Sequence, residues 1–259
     1  MLTLPTLAWV VLAVGAFLVG LGKTALPGVG TITVALFASV LPARESTGAL
    51  LALLIVGDLF AVWSYRSHAD LAVLRRLIPT VLVGVLTGTA FLAVAADDVV
   101  RRVIGAILLA LIAVTLLQRA IARRRRTWAA GTDGEGDRGP AARRRAEAAT
   151  YGVLGGFTTM VANAGGPVMS LYFLATRLPV LTFLGTAAWF FLAVNLAKVP
   201  FSVGLGLISA ESLLLDLLLV PALLLGAFLG RRLARHIPQR LFDGAILLLT
   251  VVAAAYLLV

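Results

Sequence analysis

The sequence contains no cysteine and only two histidines. It therefore forms no disulfide, offers no thiol nucleophile and builds no thiolate metal site, and its redox compartment stays open. Charge is scarce as well: Asp, Glu, Lys and Arg make up 13% of the chain, against roughly 25% in soluble globular domains, which excludes a water-soluble fold. Short segments of strictly alternating polarity are missing, and with them a transmembrane barrel. The first apolar segment lacks a basic n-region and a small-residue cleavage site, so it reads as structure and not as a signal peptide. Both histidines, His68 and His236, fall in polar loops, away from any intramembrane metal site or catalytic dyad.

What is present is hydrocarbon. Hydrophobic residues make up 61% of the 259 positions, and the mean hydropathy is +1.03. Several stretches reach about 20 apolar residues, the length that crosses a bilayer as a helix. The sequence thus predicts an all-α polytopic membrane protein. Helical segments are expected roughly over 5–21, 28–41, 46–65, 73–95 and 100–121, then over 150–162, 167–176, 181–203, 210–230 and 239–258. Between the two groups lies a polar, arginine-rich stretch without hydrophobic period. The expected organisation is a first membrane repeat (1–122), a basic cytoplasmic linker (123–149) and a second membrane repeat (150–259).

Spacing supports the duplication. Pro42, Gly48 and Asp58 recur as Pro179, Gly185 and Asn195 with identical intervals; Pro79, Gly84 and Gly88 recur as Pro221, Gly226 and Gly230; GAILL from Gly105 recurs from Gly244. Arginine then sets the sidedness, because basic residues gather in cytoplasmic loops. Arg66, Arg75 and Arg76 mark the loop after the third segment, the linker carries nine arginines against four acids from Arg119 to Glu147, and Arg231, Arg232, Arg235 and Arg240 mark a late loop. The loop with Asp97 and Asp98 falls outside, as does the uncharged one from Gly204 to Ser209. Equivalent loops therefore lie on opposite sides, the arrangement of inverted-topology repeats in secondary transporters.

Segments 150–162 and 167–176 would span only about 20 and 15 Å, short of the roughly 30 Å hydrocarbon core. Each repeat is accordingly expected to hold a broken or re-entrant helical hairpin plus three transmembrane helices. Irregular backbone at that depth survives only where protein or a water-filled cavity satisfies it. The breaks run from Gly22 through Lys23, Thr24, Gly28 and Gly30, and from Thr158 through Asn163, Gly165, Gly166 and Pro167. Each following helix would aim its amino terminus, a natural anion site, at the midplane. The competing reading is that these glycines serve helix packing alone.

Twenty of the 22 basic residues are arginines, nearly all in loops or at helix ends; the two lysines, Lys23 and Lys198, lie inside apolar segments. A charge within the membrane is a functional hypothesis by default. Lys198 follows Asn195 by one helical turn, and Asn195 is the repeat counterpart of Asp58. The substrate-binding set is therefore Lys23, Thr24, Gly28, Gly30, Asn163, Gly165, Gly166, Pro167, Asn195 and Lys198, with Asp58 as coupling group or ion-pair partner and no catalytic residue, metal or cofactor. Trp189 and Phe190 are placed near the cavity or in packing, and Asp216 at the aqueous rim.

These motifs resemble a known family. GLGKTALPGVG, LPARESTGALLALLIVGDLFAVWSYR and ANAGGPVMSLYFLATRLPVLTFLGTAAWFFLAVNLAKVPFSVG are similar to stretches of the TauE/SafE sulfite and organosulfonate exporters, over both halves but not the linker. The resemblance implies a multi-pass protein of the bacterial inner membrane that moves sulfite, a sulfonate or a related organic anion, with the breaks and the PARESTG and GTAAWF helices as the substrate region. Lys23 and Thr24 stand where many members have a glycine-richer tract, which points to a subgroup with its own substrate. Alternating-access transport of a small anion is the favoured function. Its expected partners are that anion, the lipid bilayer, a coupling proton or sodium ion and a second copy in a homodimer, with no nucleic acid. The alternatives are a signalling or scaffold protein using the basic linker and, ranked lower, an intramembrane enzyme.

Overall fold

The computed structural model describes residues 4–26, 29–96, 141–176 and 178–238, with isolated positions 99, 102, 103, 106, 241 and 244. The expected segments 100–121 and 239–258, most of the linker, the GAILL repeat and Gly28 lie outside the described residues. Helices run over Thr6–Thr24 (α1), Gly30–Val40 (α2), Ala43–Tyr65 (α3), Leu71–Val94 (α4), Ala141–Ala162 (α5), Gly165–Ala175 (α6), Val180–Gly204 (α7) and Ala210–Ala234 (α8), and the described residues include no strand. Among the described residues, five segments are long and apolar enough to cross a membrane: Thr6–Thr24, Glu45–His68, Leu71–Val94, Val180–Gly204 and Ala210–Ala234.

Local chemistry fixes several helix starts. Pro42 and Pro179 precede α3 and α7 with nearly the same backbone, φ −52° and ψ 143° against φ −56° and ψ 152°. Proline there locks an extended entry and withholds only an N–H that the first turn could not pair. Asp70 caps α4 by accepting from the Ala72 and Val73 amides, and Ser209 and Ser212 close a reciprocal capping box on α8.

One expected boundary moves. The segment expected over 150–162 begins at Ala141, inside the expected linker, and has 22 residues, about 33 Å of helix. The short-length argument therefore fails for α5. The stretch Ala-Ala-Arg-Arg-Arg-Ala-Glu-Ala-Ala is built of strong helix formers, and its charge hid that propensity. By contrast α2 and α6, with 11 residues each, span only about 16 Å and cannot cross alone.

The most extensive pairings join the two halves: α4 lies along α5, and α1 along α8. Glycine permits both. A Cβ on Gly20 would fall on the Leu223 carbonyl and one on Gly226 on the Phe17 carbonyl; a Cβ on Gly156 would fall on the Val81 carbonyl and one on Gly84 on the Val153 carbonyl. Thr24 and Thr80 add hydrogen bonds across these contacts, to the carbonyls of Ala227 (3.0 Å) and Ala148 (3.3 Å). Between the pairs, α3 and α7 cross antiparallel, Gly48 against Leu207 and Gly185 against Tyr65. At one end of the bundle the Arg231 guanidinium, closing α8, lies 4.5 Å from the ring centre of Trp63, closing α3. Arginines of both loops thus share one end.

Candidate functional site

The helix breaks and the α3–α7 crossing meet at a buried polar cluster. Asp58 on α3 is fully buried; its Oδ1 lies 2.7 Å from the Lys23 ammonium on α1, and its Oδ2 accepts from Asn195 Nδ2 on α7 at 2.7 Å. Lys23 also lies 4.5 Å from the ring centre of Phe191 and keeps 13% of its side chain exposed. The neighbouring Gly57 matters here, because a Cβ on it would press on the Lys23 stem at 3.1 Å.

Lys198 is buried but faces elsewhere. Its ammonium donates to the Thr159 carbonyl (2.7 Å), to Asn163 Oδ1 (2.6 Å) and, at 3.4 Å, to Asn195 Oδ1. The first two acceptors stand at the end of α5, and the Thr159 carbonyl also accepts from the Asn163 amide at 3.0 Å. Asn163 takes the left-handed conformation, φ 51°, that closes helices and that asparagine tolerates better than most residues. Its Nδ2 donates to the Thr47 carbonyl of α3 at 2.9 Å, so the break is pinned from both sides. The Lys198→Met variant should lose about 1–3 kcal/mol of stability by stranding these acceptors, read as a lower unfolding midpoint in detergent; an unchanged midpoint would count against this role.

A cavity of about 50 Å³ opens beside the cluster, lined by Lys23, Asp58, Asn195, Phe191, Thr159 and Asn163 among others. One water needs roughly 10–15 Å³ of such space, so the cavity has room for a few water-sized groups. Gly30, the first residue of α2, and Gly166, in the first turn of α6, both line it. Two helix amino termini therefore open on one cavity. With Asp58 set against Lys23, a second amine, Lys198, is buried in the same cluster.

Of the residues expected from sequence, the cavity gathers Lys23, Gly30, Asp58, Asn163, Gly166 and Asn195. Three expected residues lie beside it without lining it. Lys198 is spent on the α5 end; Thr24 donates to the Gly20 and Ala227 carbonyls, and its own carbonyl accepts from Tyr65 Oη at 2.7 Å; Gly165 packs on Thr159. Pro167 follows Gly166 in the first turn of α6. Phe191 and Thr159 escaped the sequence reading: an aromatic in an apolar helix carries no signal of its direction, and Thr159 had none beyond its place in the break. Trp189 is 39% exposed and Phe190 packs edge-on against Phe173 and Phe191, so neither lines the cavity. Asp216, expected at the rim, is instead buried within the bundle.

A family model described as sulfite exporter TauE/SafE matches residues 12–257, almost the whole chain. No curated protein and no solved structure matches it. A multi-pass array of apolar helices agrees with that match, and the chain belongs to the TauE/SafE sulfite exporter family.

Proposed function

We propose that the protein is a secondary transporter, and not an enzyme, that exports sulfite, an organosulfonate or a related organic anion across a bacterial inner membrane by alternating access. The observation that carries this reading is the cavity in which the Lys23 ammonium and the starts of α2 and α6 converge around anion-sized space. Positive dipole ends and free N–H groups at those starts favour an anion, and the low dielectric strengthens each contact. An arriving anion competes with Asp58 for Lys23. Asp58 keeps Asn195 as its donor while the anion takes the lysine.

Two inverted repeats supply the moving parts. Equivalent positions supporting this relation make reciprocal contacts: Gly20 with Leu223 and Gly156 with Val81, Gly48 with Leu207 and Gly185 with Tyr65. Asp58 and Asn195, counterparts by spacing, bond to each other, as residues near a pseudo-two-fold axis would. Movement of the pair α1–α8 against α4–α5 would open the cavity to alternate sides.

Flux tests the proposal. Purified protein in liposomes should move sulfite or a sulfonate saturably, and Lys23→Ala should reduce that flux to the level of protein-free liposomes. Failure to move sulfite, sulfonate or carboxylate, or wild-type flux in the variant, would overturn it.

A further inference from the structure

Asp216 is a second buried acid, and the cavity does not use it. It lies two turns into α8, about 9 Å from the helix start, with 4% of its surface exposed, and neither carboxyl oxygen has a hydrogen-bond partner among the described residues. Its neighbours along the helix, Leu215 and Leu219, belong to an apolar cluster with Leu12 of α1, Phe37 of α2 and Leu53 of α3. Ser212, one turn earlier, is consumed by the capping box: its hydroxyl donates to the Ser209 carbonyl and accepts from the Ser209 amide.

The charges on the packed elements are few. On α1 there is Lys23, paired with Asp58 of α3; α3 also carries Arg44 and Glu45 in its first turn, Glu45 exposed; α2 has no charged residue. On α8 itself Glu211 lies in the first turn, and Arg231 and Arg232 in the last. Among the described residues Asp216 has no ion-pair or hydrogen-bond partner.

An ionised carboxylate left alone in such a place costs several kcal/mol, and a carboxyl so placed holds its proton instead. Even neutral, it is a polar group that leucine would replace at lower cost, so packing gives no reason for it. Intramembrane acids of this kind mark proton pathways. Asp58, by contrast, is held by a lysine and an asparagine.

We propose that Asp216 is a proton-binding site of this protein, separate from the anion cavity, through which proton movement is coupled to anion movement. The coupling clause rests on the transporter reading above; the proton site itself does not. The step is transfer of a proton from hydronium at the α7–α8 loop, whose O–H bond breaks as the O–H bond on the Asp216 carboxylate forms, and the reverse transfer to a water, which becomes hydronium, when movement of α8 against α3 admits water from the other side. No electron changes hands.

The test uses the full chain in liposomes at neutral pH. Infrared spectra should show the carbonyl band of a neutral carboxylic acid that disappears in Asp216→Asn. With an internal pH-sensitive dye and an imposed sulfite gradient, wild-type protein should move protons together with sulfite. Asp216→Asn should keep the thermal stabilisation given by sulfite while its proton signal falls to that of empty liposomes. A band that persists in Asp216→Asn, or proton movement at the wild-type rate, would overturn the proposal. Wild-type protein that moves no sulfite overturns the transport reading and leaves the band to decide the proton site: loss sustains it, persistence overturns it.

Discussion

Asp58→Asn is expected to cost about 3–5 kcal/mol of stability and to abolish anion transport. The magnitude follows from removing one partner of a buried ion pair, which leaves the other charge without compensation. Here two lysines are linked to the same carboxylate. Lys23 is in direct contact at 2.7 Å, and Lys198 reaches it through Asn195, whose amide donates to Asp58 and accepts from Lys198. The companion experiment separates charge balance from shape. In Asp58→Asn/Lys23→Met both members of the pair are neutral, so much of the lost stability should return while transport does not, since the ammonium that meets the anion is gone. Chemical unfolding of the four proteins of this cycle in one detergent gives the coupling energy directly. Additive losses would show that the pair is incidental to the fold.

The second large effect is expected at the glycines that let the two halves touch. Gly20→Val and Gly156→Val should each destabilise by about 3 kcal/mol or more, at the top of the usual range for overpacking, because the new side chain meets backbone and not a flexible side-chain end. Gly204→Ala, where a Cβ would meet nothing within 4 Å, is the control and should change the unfolding midpoint little. Matched losses at Gly20 and Gly156 would support the equivalence of the α1–α8 and α5–α4 contacts. A large loss at one and none at the other would count against it.

Much of this arrangement was legible in the residues. Asp58 and Asn195 share an interval from Pro42 and Pro179, and they are in contact. The glycine-rich breaks announced interrupted helices because glycine and proline are poor choices inside a long apolar helix unless the chain must turn there. Other features had no sequence signal. Lys198 shares a helix face with Asn195, yet which acceptors its ammonium finds depends on the left-handed turn at Asn163, a tertiary detail. The inward aim of Asp216 was hidden because α8 is leucine-rich all round, so no polar stripe separates its lipid face from its packed face. The early start of α5 was masked by arginines that read as linker although they propagate a helix well.

The claim on which the rest depends is that the cavity between the two breaks binds a small anion through Lys23. Calorimetric titration of sulfite onto the purified protein measures it directly. Saturable binding is expected, weakened roughly 10- to 100-fold in Lys23→Met, the equivalent of one charge-assisted hydrogen bond of about 1.5–3 kcal/mol. Absence of sulfite binding to the wild-type protein, or an affinity unchanged in Lys23→Met, would contradict the account.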